Sequence, residues 1–199
     1  MSLRKFLKFR DARDAPKPFL DHVEDLRTMI VRMALALGIA MALAFFFRAQ
    51  IASFVQAPLM AVDPSRIDNL QSLGVADSMT ISIKLAFYAG LVISFPALLY
   101  FVAEFVMPAL TARERRVVLL ACLAGFGLFL GGAAFAFFGV LPQALDFFFR
   151  DAQAMNWRPT WTVGEYYSFA TQFTLAFGLA FELPVVVLAL AKVGILESA

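Results

Sequence analysis

The chain has 199 residues, 61% of them hydrophobic and only 16% charged, with a formal net charge of +2 at neutral pH. A soluble domain of this size is nearer half apolar and a quarter charged, so the excess, drawn out in long apolar runs, defines an all-α integral membrane protein. The single cysteine, Cys122, excludes an intrachain disulfide, and the single histidine, His22, excludes a His-rich metal site or a bis-histidine haem. No cofactor and no nucleic-acid partner are expected.

Residues 1–20 (MSLRKFLKFRDARDAPKPFL) are basic and carry Pro16 and Pro18, which fits either an amphipathic stretch on an anionic surface or a solvated tail. In FLDHVEDLRTMIVR, residues 19–32, Asp21 stands as an N-cap with Glu24 three residues on, the spacing of a capping box. A helix therefore begins in water there and runs into the bilayer. The first span is placed at 28–47 and is expected to be a retained anchor. Arg32 sits one turn in, with a stem long enough to reach back to the interface. Segment 48–80 holds Pro58, Pro64, Asp63, Asp68 and Asp77. It is too polar to cross and predicts short surface helices, with QAPLM at 56–60 as a helix end.

The second span, 81–105, is charge-free over 85–103, and Pro96 within it predicts a kink near 89–92. A loop at 106–116 follows. The third span, 117–141, opens a charge-free run of 29 residues that continues to Leu145. About 20 residues suffice to cross, so tilt or an overhanging end is expected. Gly125, Gly127, Gly131 and Gly132 predict one small-residue face for close helix contact. Trp157, Trp161, Tyr166 and Tyr167, in and just after segment 142–165, fit an interfacial aromatic belt. The fourth span, 166–191, is interrupted by Glu182 and Pro184.

Lys and Arg set the orientation. Residues 1–32 hold eight and 106–116 hold three, against two in 48–80 and two in 142–165. The positive-inside rule then predicts four spans with both termini and the 106–116 loop in the cytoplasm.

Few residues offer chemistry. Glu182 lies ten residues before Lys192, about 15 Å deep at ~1.5 Å per residue, where a carboxylate costs at least about 2.5 kcal/mol on insertion scales. Pro184 leaves the carbonyl of Ala180 without its helix donor, which adds polarity there. Glu182 reads as a docking point for another transmembrane segment, as a proton-relay site, or as a structural acid hydrogen-bonded in the bundle. Glu104 closes the second span and reads equally as a solvated interfacial acid. Glu114 stands among Arg113, Arg115 and Arg116, which either hold it ionised or leave it solvated. Asp21, Glu24 and Asp25, with His22 and Arg27, form a second acidic patch. Together with Glu114 it can grip two guanidinium groups, whose planar forks match carboxylates; alternatively these are separate solvated charges. No metal-ligand cluster, Ser/His/Asp arrangement or phosphate loop supports an enzyme.

The stretches HVEDLR at 22–27, APL at 57–59, SFPALLYFVAEFVMPAL at 94–110, RERR at 113–116, FAFFGVLPQALDFF at 135–148 and GEYYSFATQFTLAFGLAFELPVV at 164–186 follow one another as in a known family. The chain resembles the TatC family, the C subunit of the twin-arginine protein translocase. The resemblance implies a receptor in the cell inner membrane that binds twin-arginine signal peptides of folded precursors. It also implies recruitment of single-span TatA/TatB-type subunits into a hetero-oligomer. Asp25 and Glu114 match the family's signal-binding acids, with Glu24 the alternative to Asp25 because the family usually has Glu at that position. Phe105 and Pro96 match its important aromatic and Pro, Pro58 a loop Pro, and Glu182 a mid-membrane acid thought to meet partner or signal helices. Members have six spans, so a chain of four is expected to be a fragment or shortened product lacking part of the partner-docking surface. The competing readings are a small proton or ion transporter using Glu182 and a bundle whose acids only fix packing.

Overall fold

The structure is a computed structural model describing residues 19–62, 67 and 70–192, without the side chains of residues 19–21, 109, 112 and 113. The basic stretch 1–18 and residues 63–66, including Asp63 and Pro64, lie outside the described residues, as does Asp68. The described chain is helical almost throughout. Its elements are α1 (Phe19–Phe46), α2 (Arg48–Val55), α3 (Ala57–Val62), α4 (Asp77–Val106), a 3₁₀ turn (Met107–Ala109), α5 (Ala112–Ala134), a π-helical segment (Phe135–Val140), α6 (Leu141–Ala154) and α7 (Val163–Lys192). Four helical stretches among the described residues are long and apolar enough to cross a membrane: His22–Phe46, Asp77–Val106, Glu114–Ala154 and Val163–Lys192.

Each is longer than its predicted span, because helix continues past the apolar run into capped polar ends. α1 begins at Phe19, so Asp21 lies in its first turn and is not the cap expected from the sequence. α4 is started by Asp77, whose carboxylate accepts from the Leu73 amide at 3.0 Å, the Gly74 amide at 2.7 Å and the Ser72 hydroxyl at 3.2 Å. α4 runs unbroken through Pro96. The third crossing stretch covers 41 residues, about 60 Å at ~1.5 Å per residue. That is twice the ~30 Å hydrocarbon thickness, and the surplus is α6, which replaces with helix much of the connector expected at 142–165. The π-helical segment, with Pro142 just after it, separates the crossing part from this overhang; such bulges interrupt the regular ladder.

α1 packs mainly along α4, α5 along α7, and α4 joins the two pairs through α7 and α5. α1 and α4 come close at Gly90, where a Cβ would stand 2.9 Å from the Met41 amide nitrogen and 3.0 Å from its Cα. The glycines of α5 do not form one face. Gly125 and Gly132 meet α7, where a Cβ on either would come within 2.6 Å of Glu182 or Phe181, whereas a Cβ on Gly127 or Gly131 would meet nothing within 4 Å among the described residues. At about 100° per residue, positions two apart point to opposite sides, while positions seven apart share a side.

The buried core gathers at one end. Val55, Leu59, Ile81, Leu85, Phe137, Leu141, Leu145, Tyr166 and Tyr167 form a cluster under the short helices α2 and α3. QAPLM holds the helix end expected there: α2 stops at Val55 with Gln56 as its cap, and Pro58 is buried in the first turn of α3, where its missing N–H costs no helix bond. Tyr166 and Tyr167 are buried instead of lying in an aromatic belt. Tyr166 Oη donates to the Val55 carbonyl at 2.7 Å, and Tyr167 Oη donates to Ala52 at 3.3 Å and accepts from Gln56 Nε2 at 2.7 Å. The Val55 carbonyl is freed by the break between α2 and α3, since the Leu59 amide turns to Gln56 instead, and a buried backbone oxygen needs a donor; the Ala52 carbonyl also accepts from the Gln56 amide at 3.2 Å. Trp157 is exposed, in keeping with a belt residue, whereas Trp161 packs edge-on against Phe149. The two connectors at this end are stapled by a parallel bridge. Gln71 donates to the Trp161 carbonyl at 3.1 Å, and Val163 donates to the Gln71 carbonyl at 3.0 Å. Elsewhere apolar side chains such as Ile39 and Phe46 face outward, as a helix bundle requires when its surroundings are lipid.

Candidate functional site

The opposite end is built differently. Here α1 begins, α4 ends and α5 begins. Asp25, Thr28, Met29 and Arg32 recur at the i, i+3, i+4, i+7 spacing of one helix face. Phe101, Glu104, Phe105 and Pro108 come from the end of α4 and the turn after it. These eight residues line a cavity of about 200 Å³. Arg32 Nη1 lies 3.4 Å from both oxygens of Glu104, with each side chain about half exposed. The Phe105 ring stacks on His22, centroids 4.6 Å apart. The cavity thus combines two carboxylates, one guanidinium and two aromatic rings.

Glu24, one residue before Asp25, is exposed and does not line the cavity, because a single residue turns it about 100° around α1. Glu114 lies at the same end but on a different scaffold. The chain leaves α4 through Met107–Ala109, extends at Leu110, and re-enters helix behind Thr111. Thr111 and Glu114 form a capping box: the Thr111 amide donates to Glu114 Oε2 at 2.8 Å, and the Glu114 amide donates to Thr111 Oγ1 at 3.5 Å. Thr111 is therefore a partner of Glu114. Arg115 points back along the turn, its Nε donating to the Met107 and Leu110 carbonyls at 3.1 and 3.2 Å. Adjacent residues of a helix do not face one another.

Pro96 is exposed and ten residues up α4 from the cavity end, so it does not touch the site. Glu182 is also separate. Its carboxylate rests against Gly125 of α5, and Oε1 is buried without a hydrogen-bond partner among the described residues. Pro184, two residues on, is exposed. The other acids of the later spans are engaged. Asp146 pairs with Arg150 at 2.8 Å, and Glu165 closes a second capping box with Thr162, accepting from its hydroxyl at 2.9 Å. A larger cavity of about 400 Å³ lies among α2, α4, α7 and the π-helical segment, lined by Phe54, Leu85, Val92, Phe129 and Phe137 among others, with no charged side chain. Among the described residues no three His, Cys, Asp or Glu side chains are grouped to hold a metal ion.

Sequence reasoning missed the Arg32–Glu104 pair, whose partners are 72 residues apart, and the Tyr166–Tyr167 contacts. It also missed the Thr111 box, although T-x-x-E ahead of an apolar run is its signature.

Four bilayer-length helices with apolar outer faces, and a polar cavity where two of them end, define a multi-pass helical membrane protein with a pocket at the membrane–water boundary. The sequence matches the family of Sec-independent protein translocase proteins, TatC, over residues 21–199, and the chain belongs to it. It is 48% identical over 120 residues to TatC of Akkermansia muciniphila, covering 60% of this chain and 34% of that protein. To TatCy of Bacillus subtilis it is 31% identical over 176 residues, covering 88% of this chain and 68% of that one. A crystal structure described as the twin-arginine translocase receptor TatC superposes with a TM-score of 0.78 at 32% identity, covering 88% of this chain and 77% of the other. The chain thus spans about a third of one relative and about two thirds of the next. The family is one of protein translocase subunits and not of enzymes.

Proposed function

We propose that this chain is the receptor subunit of a twin-arginine translocase, binding the twin-arginine signal peptides of folded precursors at the cytoplasmic face of the cell inner membrane. The observation that carries the reading is the cavity that brings Asp25 and Phe105 together. A guanidinium finds there a carboxylate for a charge-assisted hydrogen bond and aromatic rings on which its plane can stack. Asp25, not Glu24, takes the acidic role, since only Asp25 faces the cavity. Glu114 offers the second carboxylate, at the same end of the bundle, with Oε1 left over from its capping box. The Lys and Arg distribution supports placing this end in the cytoplasm. Glu182, with its unsatisfied oxygen at mid-span, is the point at which a polar group of a TatA/TatB-type single-span helix docks.

The test is binding of a synthetic twin-arginine signal peptide to the chain in lipid nanodiscs. Asp25→Asn is expected to weaken binding by about tenfold or more, the loss of one charge-assisted bond. Glu24→Gln is expected to change it less than about twofold, as for a surface charge with no role. Equal affinity for Arg-Arg and Lys-Lys peptides would sink the reading.

A further inference from the structure

Glu104 is the one carboxylate lining the cavity that neither the family match nor the proposed function uses. It shares that cavity with Asp25, and its present partner is itself a guanidinium, that of Arg32. The cavity lining therefore holds two carboxylates, and one of them, Glu104, already faces a guanidinium. The contact is also weak by geometry. A single nitrogen, Arg32 Nη1, approaches both Glu104 oxygens at 3.4 Å, longer than the ~2.7–2.9 Å of a well-made charged bond. The two side chains are 52% and 48% exposed, so water competes for both ends and the pair contributes little. Arg32 shows at the same time that a guanidinium fits against Glu104 in this space.

We infer that Glu104 is the second carboxylate of the Asp25 pocket, and that Arg32 occupies it as an internal guanidinium until an arginine of the signal peptide replaces it. This rests on the proposed receptor function and adds to it a specificity residue and a built-in competitor. Peptide binding then exchanges one long ion pair for a better one. Because Arg32 has a flexible stem on the outermost turns of a membrane-crossing helix, it is free to swing into the headgroup region when displaced. A lysine, a compact point charge without the planar fork, competes less well with Arg32 for both oxygens. Glu104 is in this way a source of preference for Arg over Lys.

The test measures affinities of an Arg-Arg peptide and its Lys-Lys counterpart for the complete chain in nanodiscs. Arg32→Gln removes the competitor and is expected to tighten Arg-Arg binding about threefold, the worth of an exposed pair. A gain of affinity cannot come from misfolding. Glu104→Gln is expected to weaken Arg-Arg binding about tenfold and to narrow its advantage over Lys-Lys. Glu104→Asp should restore most of that advantage, and the double variant should behave like Glu104→Gln. If Glu104→Gln changes neither affinity nor preference while Asp25→Asn abolishes binding, the receptor reading stands and the role of Glu104 is overturned. If Arg32→Gln weakens binding, the competitor role is overturned. If Asp25→Asn and Glu114→Gln are both without effect, the receptor reading fails and this inference with it.

Discussion

The two ends of the bundle differ in how they are held. At one end Tyr166 and Tyr167 cross-link α7 to α2 and α3, a bridge joins the two connectors, and Leu59 and Leu141 are fully buried. At the other end α1, the end of α4 and the turn after it line a cavity that includes a half-exposed ion pair, and α5 begins nearby behind a capped turn. The first end is where packing fixes the fold. The second is where polar groups stay accessible to a ligand. Substitutions at the packed end should therefore cost stability and spare peptide binding, while substitutions around Asp25 should do the reverse.

The sharpest way to break this contrast is Leu141→Ala. Its side chain is fully buried beside the π-helical segment, so the cavity left behind is expected to cost about 2–5 kcal/mol, read as a lowered unfolding midpoint in detergent. Peptide affinity of the folded fraction should be unchanged; a parallel loss would show that the two ends are one cooperative unit. Tyr166→Phe keeps the ring but strands the Val55 carbonyl, and should cost about 1–3 kcal/mol for an unsatisfied buried acceptor, with faster amide exchange at the α2–α3 junction. Thr162→Ala removes the cap of α7 and is expected to cost about 1 kcal/mol. Its trace is fraying of the first turn of α7, visible by hydrogen exchange alone.

Much of the fold was legible in the sequence for one physical reason: a bilayer demands about 20 apolar residues per crossing, and such runs leave a plain trace. Short helices in 48–80 were foreseen because that segment is too polar to cross, although they were expected on the surface and α3 buries Pro58 and Leu59. Side-chain roles at the packed end were less readable. A tyrosine pair at a span end has the same local composition whether it lies in the headgroup layer or donates inward to broken helix backbone, and only tertiary contact separates the two. The four glycines of α5 were grouped by proximity in sequence, but their angular positions divide them between α7 and open space. At the candidate site, the acidic patch holding Asp25 and the acid Glu114 stood out by charge pattern, while the family resemblance singled out Asp25 within the patch and added Phe105. The choice of Asp25 over Glu24 needed only the helix angle. Arg32 with Glu104 left no trace, since two unlike charges 72 residues apart carry no local signal.

Gly90 has a mechanical consequence. α1 rests mainly on α4, and the two backbones touch where Gly90 meets Met41. Asp25 is 16 residues along α1 from that contact, about 24 Å at ~1.5 Å per residue. A rocking of α1 by only about 5° on this fulcrum carries Asp25 some ~2 Å relative to Glu104, given that lever arm. A shift of that size is larger than the spread of hydrogen-bond lengths, so it changes which groups the two carboxylates can reach together. Helix tilt is one response to bilayer thickness, so changing the lipid chain length is expected to move the pocket through this lever without any substitution within it.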